Sequence, residues 1–210
     1  MKIMQKTGLF ISVEGIDGAG KSTQVTFIKQ YLEDKGKQVI LTREPGGTEL
    51  GEKIRDLLLN SQQMHPITEL LLMFASRQEL INNIIIPKLQ QGVCVVADRF
   101  IDAAIAYQGG GRGLGLDKVS KVISLLEPQL QTDLTFLFDA PLSLALNRVA
   151  RNRQKDRIEQ EAGSFFARVQ HTYHEIAKQE PERVKVINTN QALENTHTLV
   201  ARYLDQLLSR

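Results

Sequence analysis

Lys21 is the side chain whose setting most clearly implies chemistry. It lies in the stretch "VEGIDGAGKSTQ", where Gly15, Gly20, Lys21 and Ser22 match the spacing GxxxxGK[ST] directly after the apolar run "LFISV". Glycines at those positions let backbone N–H groups curl round phosphate oxygens. A helix starting near Lys21 adds the positive end of its dipole, and the lysine reaches the outer phosphates. The stretch Gly15, Ile16, Asp17, Gly18, Ala19, Gly20, Lys21, Ser22, Thr23 therefore reads as a cradle for a nucleotide polyphosphate, with the Ser22 hydroxyl placed to ligate Mg²⁺. By spacing alone Asp17 reads as a carboxylate favoured at a helix N-terminus.

A phosphate cradle does not name a reaction, because GTPases, ATPases and small-molecule kinases share it. No NKxD-type tetrad for reading guanine is found along the chain, and 210 residues is short for a motor or transporter ATPase. The arginines are more informative: Arg43 in "TREPGGTELGEKIR", Arg99 in "VVADRF" and a dense group in "NRVARNRQKDR". That distribution suits two phosphorylated substrates bound face to face. Asp98 and Arg99 follow "VCVVA", which puts a carboxylate near a metal and a planar fork of donors near phosphate oxygens. Arg55 reads either as a second contact to an acceptor phosphate or as an exposed helix arginine. Arg148, Arg151, Arg153, Lys155 and Arg157 fall within ten residues. The run suits a lid over about 148–160, and a solvated basic surface is the alternative. An ionised phosphate needs no general base, and His65, His171, His174 and His197 lie outside every motif.

These residues need a scaffold that brings strand ends together. Apolar, β-rich runs at 9–13, 38–42, 93–97, 134–138 and 184–188 imply five buried strands. Helical patterns lie between and after them: Val25, Ile28, Leu32; Leu50, Ile54, Leu57, Leu58; Leu70, Phe74, Ile81, Ile84, Ile85 over 66–89; and Leu193, Val200, Leu204, Leu207. The alternation predicts an α/β fold, a five-stranded parallel sheet flanked by helices, with chemistry at the carboxyl ends of the strands. The glycine cluster "QGGGRGLG" reads as an irregular loop. One domain over 1–210 is expected from the length and the 42% hydrophobic content. Charged residues are 24% of the chain and nearly balanced at a formal +2, which argues against a nucleic-acid or membrane-surface partner. The single cysteine, Cys94, sits in an apolar run as a small buried hydrophobe, and no stretch approaches 18 apolar residues, so a cytoplasmic protein is expected.

"GIDGAGKST", "TREPGGT", "ADRF" followed by "AYQGGGRG", and "DRIEQE", in that order, resemble the bacterial thymidylate kinases nearly end to end. The resemblance implies a P-loop nucleoside monophosphate kinase-like fold, a homodimer, and the reaction of ATP with dTMP, assisted by Mg²⁺, to give ADP and dTDP. It also implies that Asp17 faces the acceptor nucleotide and that Glu44 and Pro45 approach its phosphate across a candidate cis bond, where the sequence alone favours a turn with a trans proline. Arg99 would clamp that phosphate. An aromatic ring and an arginine one turn later would stack on and read thymine; Phe74 and Arg77 fit, with Met73 an alternative occupant of the stacking slot, whereas by its place on an apolar helical stripe alone Phe74 reads as core. Tyr107 and Gln108 would line the deoxyribose and base. Many relatives carry a hydroxyl or amide where this chain has Ala103 and Ala104. Because Ser22 occupies the position where some members carry an arginine, the resemblance assigns the phosphoryl-stabilising charge to the basic run: Arg153 first, Arg151 second, with Arg148 flanking adenine.

Overall fold

The computed structural model describes residues 7–150 and 156–209. Its centre is a parallel sheet of five strands, β1 (Phe10–Glu14), β2 (Val39–Arg43), β3 (Cys94–Asp98), β4 (Leu134–Asp139) and β5 (Val184–Asn188), in the order β2-β3-β1-β4-β5. Three strands lie one residue further along than the apolar runs suggest, because the ladder is set by pairing. Val13 and Arg43 both stand opposite Asp98. Glu14, Arg43 and Asp98 are thus the last residues of adjacent strands, and their side chains start from one edge of the sheet.

Side chains alternate between the two faces, as strand geometry requires. Phe10, Val95 and Ala97 point into a cluster with α2 (Glu49–Asn60) and α3 (Pro66–Leu80), whereas Ile11, Val13, Cys94 and Val96 join one with α1 (Lys21–Asp34) and α9 (Leu193–Leu208). Cys94 is buried there as a hydrophobe. A third cluster gathers Ile16, Ala19, Tyr107 and the buried face of α8 (Gly163–Gln179) beneath the phosphate loop.

The expected helix over 66–89 has three parts: α3, a π-helical segment Ile81–Ile85, and α4 (Ile86–Gln90), which carries Pro87 in its first turn. After β3 come the short α5 (Ile101–Ala104) and a second π-helical segment, Ile105–Gly111. This corrects the reading of "QGGGRGLG" as an irregular loop for its first half, Gln108–Gly111, while residues 112–115 do form an irregular connection to the next helix. Two of the cluster's glycines serve close packing: a Cβ on Gly110 would lie 2.0 Å from Thr172 Oγ1, and one on Gly111 2.6 Å from the Phe165 ring. α6 (Leu116–Ile123) and α7 (Leu142–Ala150) complete the described helices, none of which is long and apolar enough to cross a membrane.

Candidate active site

The phosphate loop joins β1 to α1 with Gly15, Gly18 and Gly20 all at positive φ. Gly15 is constrained twice, since at φ 133° an added Cβ would also lie 2.3 Å from the Phe138 carbonyl oxygen. Lys21 is buried and donates to the carbonyls of Gly15 and Ile16, both at 3.0 Å. Burial, then the charge of Arg99, lowers its pKa. Ser22 and Thr23 open α1 on its exposed side, while Ile16 and Ala19 are buried below the loop.

Two cavities meet at the strand ends. A cleft of about 470 Å³ is lined by Gly18, Gly20, Lys21, Ser22, Thr23, Asp98 and Arg148. A narrower cavity of about 80 Å³ is lined by Pro45, Met73, Ala103, Tyr107, Gln108, Asp156 and Ile158. Asp17, Glu44, Arg55 and Arg99 line both. A further cleft of about 500 Å³ beside Ile101 and Leu130 lies away from the loop, and its charged groups Asp102, Glu180 and Arg183 are paired with one another.

Arg99 stands at the junction. Among the described residues it is the one non-glycine at positive φ, 73°, a conformation that costs a side-chain-bearing residue roughly 1–2 kcal/mol. Two hydrogen bonds hold it: Arg99 N–H donates to Val13 O at 3.0 Å, and the next amide, Phe100 N–H, donates to Glu14 Oε1 at 2.7 Å. Its NH2 donates to Asp17 Oδ1 at 2.6 Å and to the Tyr107 hydroxyl at 2.9 Å, and Tyr107 donates in turn to Asp17 Oδ2. Desolvation raises the Asp17 pKa, but the charges of Arg99 and Lys21 outweigh it and hold the carboxyl well below the usual range. The other terminal nitrogen of Arg99, NH1, is buried without a partner, as is Asp98 Oδ1.

Around the narrow cavity the charged groups are locked in pairs. Arg77 is fully buried and donates through Nε to Glu44 Oε2 at 2.7 Å and through NH2 to the Phe100 carbonyl at 2.9 Å; its NH1 has no partner. Burial pushes the Glu44 carboxyl up, against the pull of Arg77. The Glu44–Pro45 bond is cis. Arg55 donates to the Pro45 carbonyl at 2.9 Å. Arg77 and Phe74 do not line the cavity: Phe74 is in the core with its ring 4.6 Å from the Arg77 guanidinium, and Met73 is the neighbour that lines it. Consecutive helix residues diverge by about 100°, so the two cannot share a face. Of the alanine pair, Ala103 lines the cavity and Ala104 belongs to the core. Arg148 is an exposed residue of α7 whose NH1 donates to Gly18 O at 3.0 Å. Arg151 and Arg153 lie outside the described residues.

Several site residues were not singled out from sequence. Glu14 is fully buried; desolvation first, then the charge of Asp102, pushes its carboxyl up to about 8, and Tyr173 donates to its Oε2 at 2.8 Å. Glu69 is likewise buried and receives Gln108, Arg112 and Arg157. Both carried a signal: a carboxylate at the end of an apolar strand, and one inside the apolar helix stretch "TELLLMF". Unpaired acids are rarely buried, so each position calls for partners.

A parallel sheet ordered β2-β3-β1-β4-β5, a phosphate loop after β1 and a second cavity meeting the first at Arg99 define a P-loop nucleoside monophosphate kinase fold. The crystal structure of thymidylate kinase from Ehrlichia chaffeensis superposes with a TM-score of 0.77 at 36% identity, covering 94% of this chain and 98% of that one. The family model for thymidylate kinase matches residues 13–200, and the chain belongs to that family. Thymidylate kinase of Nitrosospira multiformis is 47% identical over 196 residues, covering 93% of this chain and 96% of the relative. That of Bordetella pertussis is 50% identical over 191 residues, covering 91% of each.

Proposed function

We propose that this chain phosphorylates dTMP to dTDP with ATP, the triphosphate lying along the phosphate loop and dTMP in the narrow cavity. The observation that carries the reading is the Arg99 guanidinium, lining both cavities, fixed on one side by Asp17 and Tyr107 and left with a buried free donor on the other. A fork so held is pre-organised to grip an acceptor phosphate where it meets the γ-phosphate. Arg55, lining the same junction, adds a second positive charge.

Phosphoryl transfer goes through a loose transition state, so alignment and charge are what the protein supplies. An acceptor phosphate oxygen, already ionised near neutral pH, attacks the γ-phosphorus in line, and the γ-phosphoryl leaves ADP. Lys21 and a basic side chain of the 151–155 run, Arg153 before Arg151, neutralise the oxygens of the transferring group. Arg148 flanks the adenine. In the acceptor cavity Met73 takes the position expected of Phe74 against the base, Tyr107 crowds the sugar, and Gln108 meets the polar edge, with Arg77 buried behind the wall on Glu44.

Asp98, with its unpartnered oxygen, and Ser22 fit a Mg²⁺ ion. When bound, it supplies Lewis-acid neutralisation of the phosphate charge. Leu50 and Leu57 of α2 and Leu71 of the adjacent α3 are each about half exposed, apolar surface that supports a homodimer. The lone buried Cys94 suits the reducing cytoplasm.

The test is ADP release from ATP and Mg²⁺ with dTMP, dUMP, dCMP, dGMP, AMP or UMP as acceptor. The reading predicts turnover fastest with dTMP. Preference for another monophosphate overturns the base pocket, and no stimulation by any acceptor overturns the kinase.

A further inference from the structure

Gln108 lines the acceptor cavity, is 1% exposed, and has an amide with two different ends. Its Nε2 donates to Glu69 Oε1 at 2.8 Å, while its Oε1 is buried with no partner. A carboxylate only accepts hydrogen bonds, so the end of the amide facing Glu69 must be the NH₂. Nothing in the glutamine itself fixes that choice, because rotating the amide by 180° preserves its shape.

Glu69 is kept a carboxylate by its other neighbours. Arg157 NH2 lies 2.7 Å and Arg112 NH2 3.0 Å from its Oε2, and Arg112 Nε donates to both oxygens at 3.2 and 3.1 Å. These arginines are anchored in turn: Arg157 Nε donates to the Leu58 carbonyl at 2.9 Å, and Arg112 pairs with Glu161. One oxygen of Glu69 therefore faces mainly the arginines and the other faces Gln108.

Resting on the reading that a pyrimidine base occupies this cavity, we propose that Glu69 is a specificity-determining positioning residue: by fixing the Gln108 amide it presents an acceptor oxygen to the base and selects an imide N–H over the bare ring nitrogen of cytosine. Thymine and uracil carry that N–H at position 3; cytosine carries a lone pair there and would face an oxygen lone pair across a buried contact. Ala103 on the cavity wall has no side-chain donor or acceptor that could compete with the amide for the ring nitrogen.

Glu69→Gln tests the idea because it keeps the shape. The arginines would retain the oxygen of the new amide, leaving its NH₂ toward Gln108, whose oxygen must turn to meet it and whose NH₂ must turn to the base. The readout is the ratio of kcat/KM for dTMP to that for dCMP, with dUMP alongside, measured on one preparation so that the active fraction cancels. The ratio is expected to fall by about tenfold or more, the scale of one buried mismatched hydrogen bond, with the dTMP to dUMP ratio unchanged. In a Gln108→Leu background, Glu69→Gln should no longer alter the dTMP to dCMP ratio, because the residue acts through the amide.

An unchanged dTMP to dCMP ratio in Glu69→Gln, or a change that persists in the Gln108→Leu background, overturns the proposal. A purely structural role would lower turnover with all three acceptors alike and leave the ratios where they were. Failure of the wild-type protein to use dTMP at all would instead overturn the underlying functional reading.

Discussion

The two cavities that meet at Arg99 are built differently. Apart from the groups shared at the junction, the phosphate-loop side is lined by the loop itself, Lys21, Asp98 and exposed side chains such as Ser22, Thr23 and Arg148. On the acceptor side the groups in and behind the wall are buried charges held by partners, Arg77 by Glu44 and Glu69 by Arg112 and Arg157, with the Arg99–Asp17 pair at the junction of the two. Backbone donors and cations aimed at oxygens hold phosphate without reading the base attached to it. Fixed side chains can read one edge of one base. The difference teaches that discrimination belongs to the acceptor cavity, and that the donor cleft supplies charge.

Buried pairs on the acceptor side should also carry stability. Arg77→Met leaves Glu44 buried without its cation and is expected to lower stability by about 3–5 kcal/mol in urea unfolding; a loss under about 1 kcal/mol would remove the distinction between the two sides. Arg99 belongs to both cavities, so Arg99→Ala should reduce kcat/KM for dTMP roughly a hundredfold or more in steady-state assays, as expected for a positioned transition-state charge. A drop confined to the KM of ATP would assign it to the donor side alone.

Glu14 sharpens the comparison, because it is a buried carboxyl whose direct hydrogen-bond partners are neutral, the Phe100 amide and the Tyr173 hydroxyl. Its pKa is raised from 4.5 to about 8, so between those values the folded state holds a proton that the unfolded state has lost. This contribution to stability is complete below about 4.5 and is lost as pH rises to about 8, by at most about 1.4 kcal/mol per pH unit. Glu14→Gln has no such proton. Relative to wild type its melting temperature should rise across that window and level off above it; a difference that does not vary with pH would contradict the assignment. The smallest effect is expected on the donor side, where Arg148→Ala removes one exposed hydrogen bond. It should raise the KM for ATP by less than about tenfold and leave the KM for dTMP unchanged in the same assay.

The same contrast governs what the sequence made legible. The phosphate loop is local: its spacing lies within twelve residues, and Lys21 through Thr23 fall where that spacing puts them, at the start of α1. The five strands were legible as apolar runs, displaced by one residue where the pairing register, a tertiary property, sets the end. The acceptor side is assembled from α2, α3, the π-helical segment after α5 and the turn at 156–161, so its partners lie tens of residues apart. Glu69 and Arg157 are 88 positions apart, and no local pattern links them. The run Phe165, Phe166, Val169, Tyr173, Ile176, Ala177 had the spacing of a buried helix face and could have been read as α8, which would have placed Tyr173 near the strand ends. The close packing that turns "GGG" into a π-helical segment depends on α8 as well, and a glycine run alone signals a loop.

The central claim is that selectivity lies in the acceptor cavity. It is tested most directly by measuring kcat/KM for a panel of acceptors, dTMP, dUMP, dCMP and dGMP, at fixed ATP, and for a panel of donors, ATP, dATP, GTP and CTP, at fixed dTMP. A spread across acceptors at least about a hundred times that across donors is the predicted result, on the scale of two or more buried polar mismatches against contacts that read only phosphate. Equal spreads, or a wider one among donors, would contradict it.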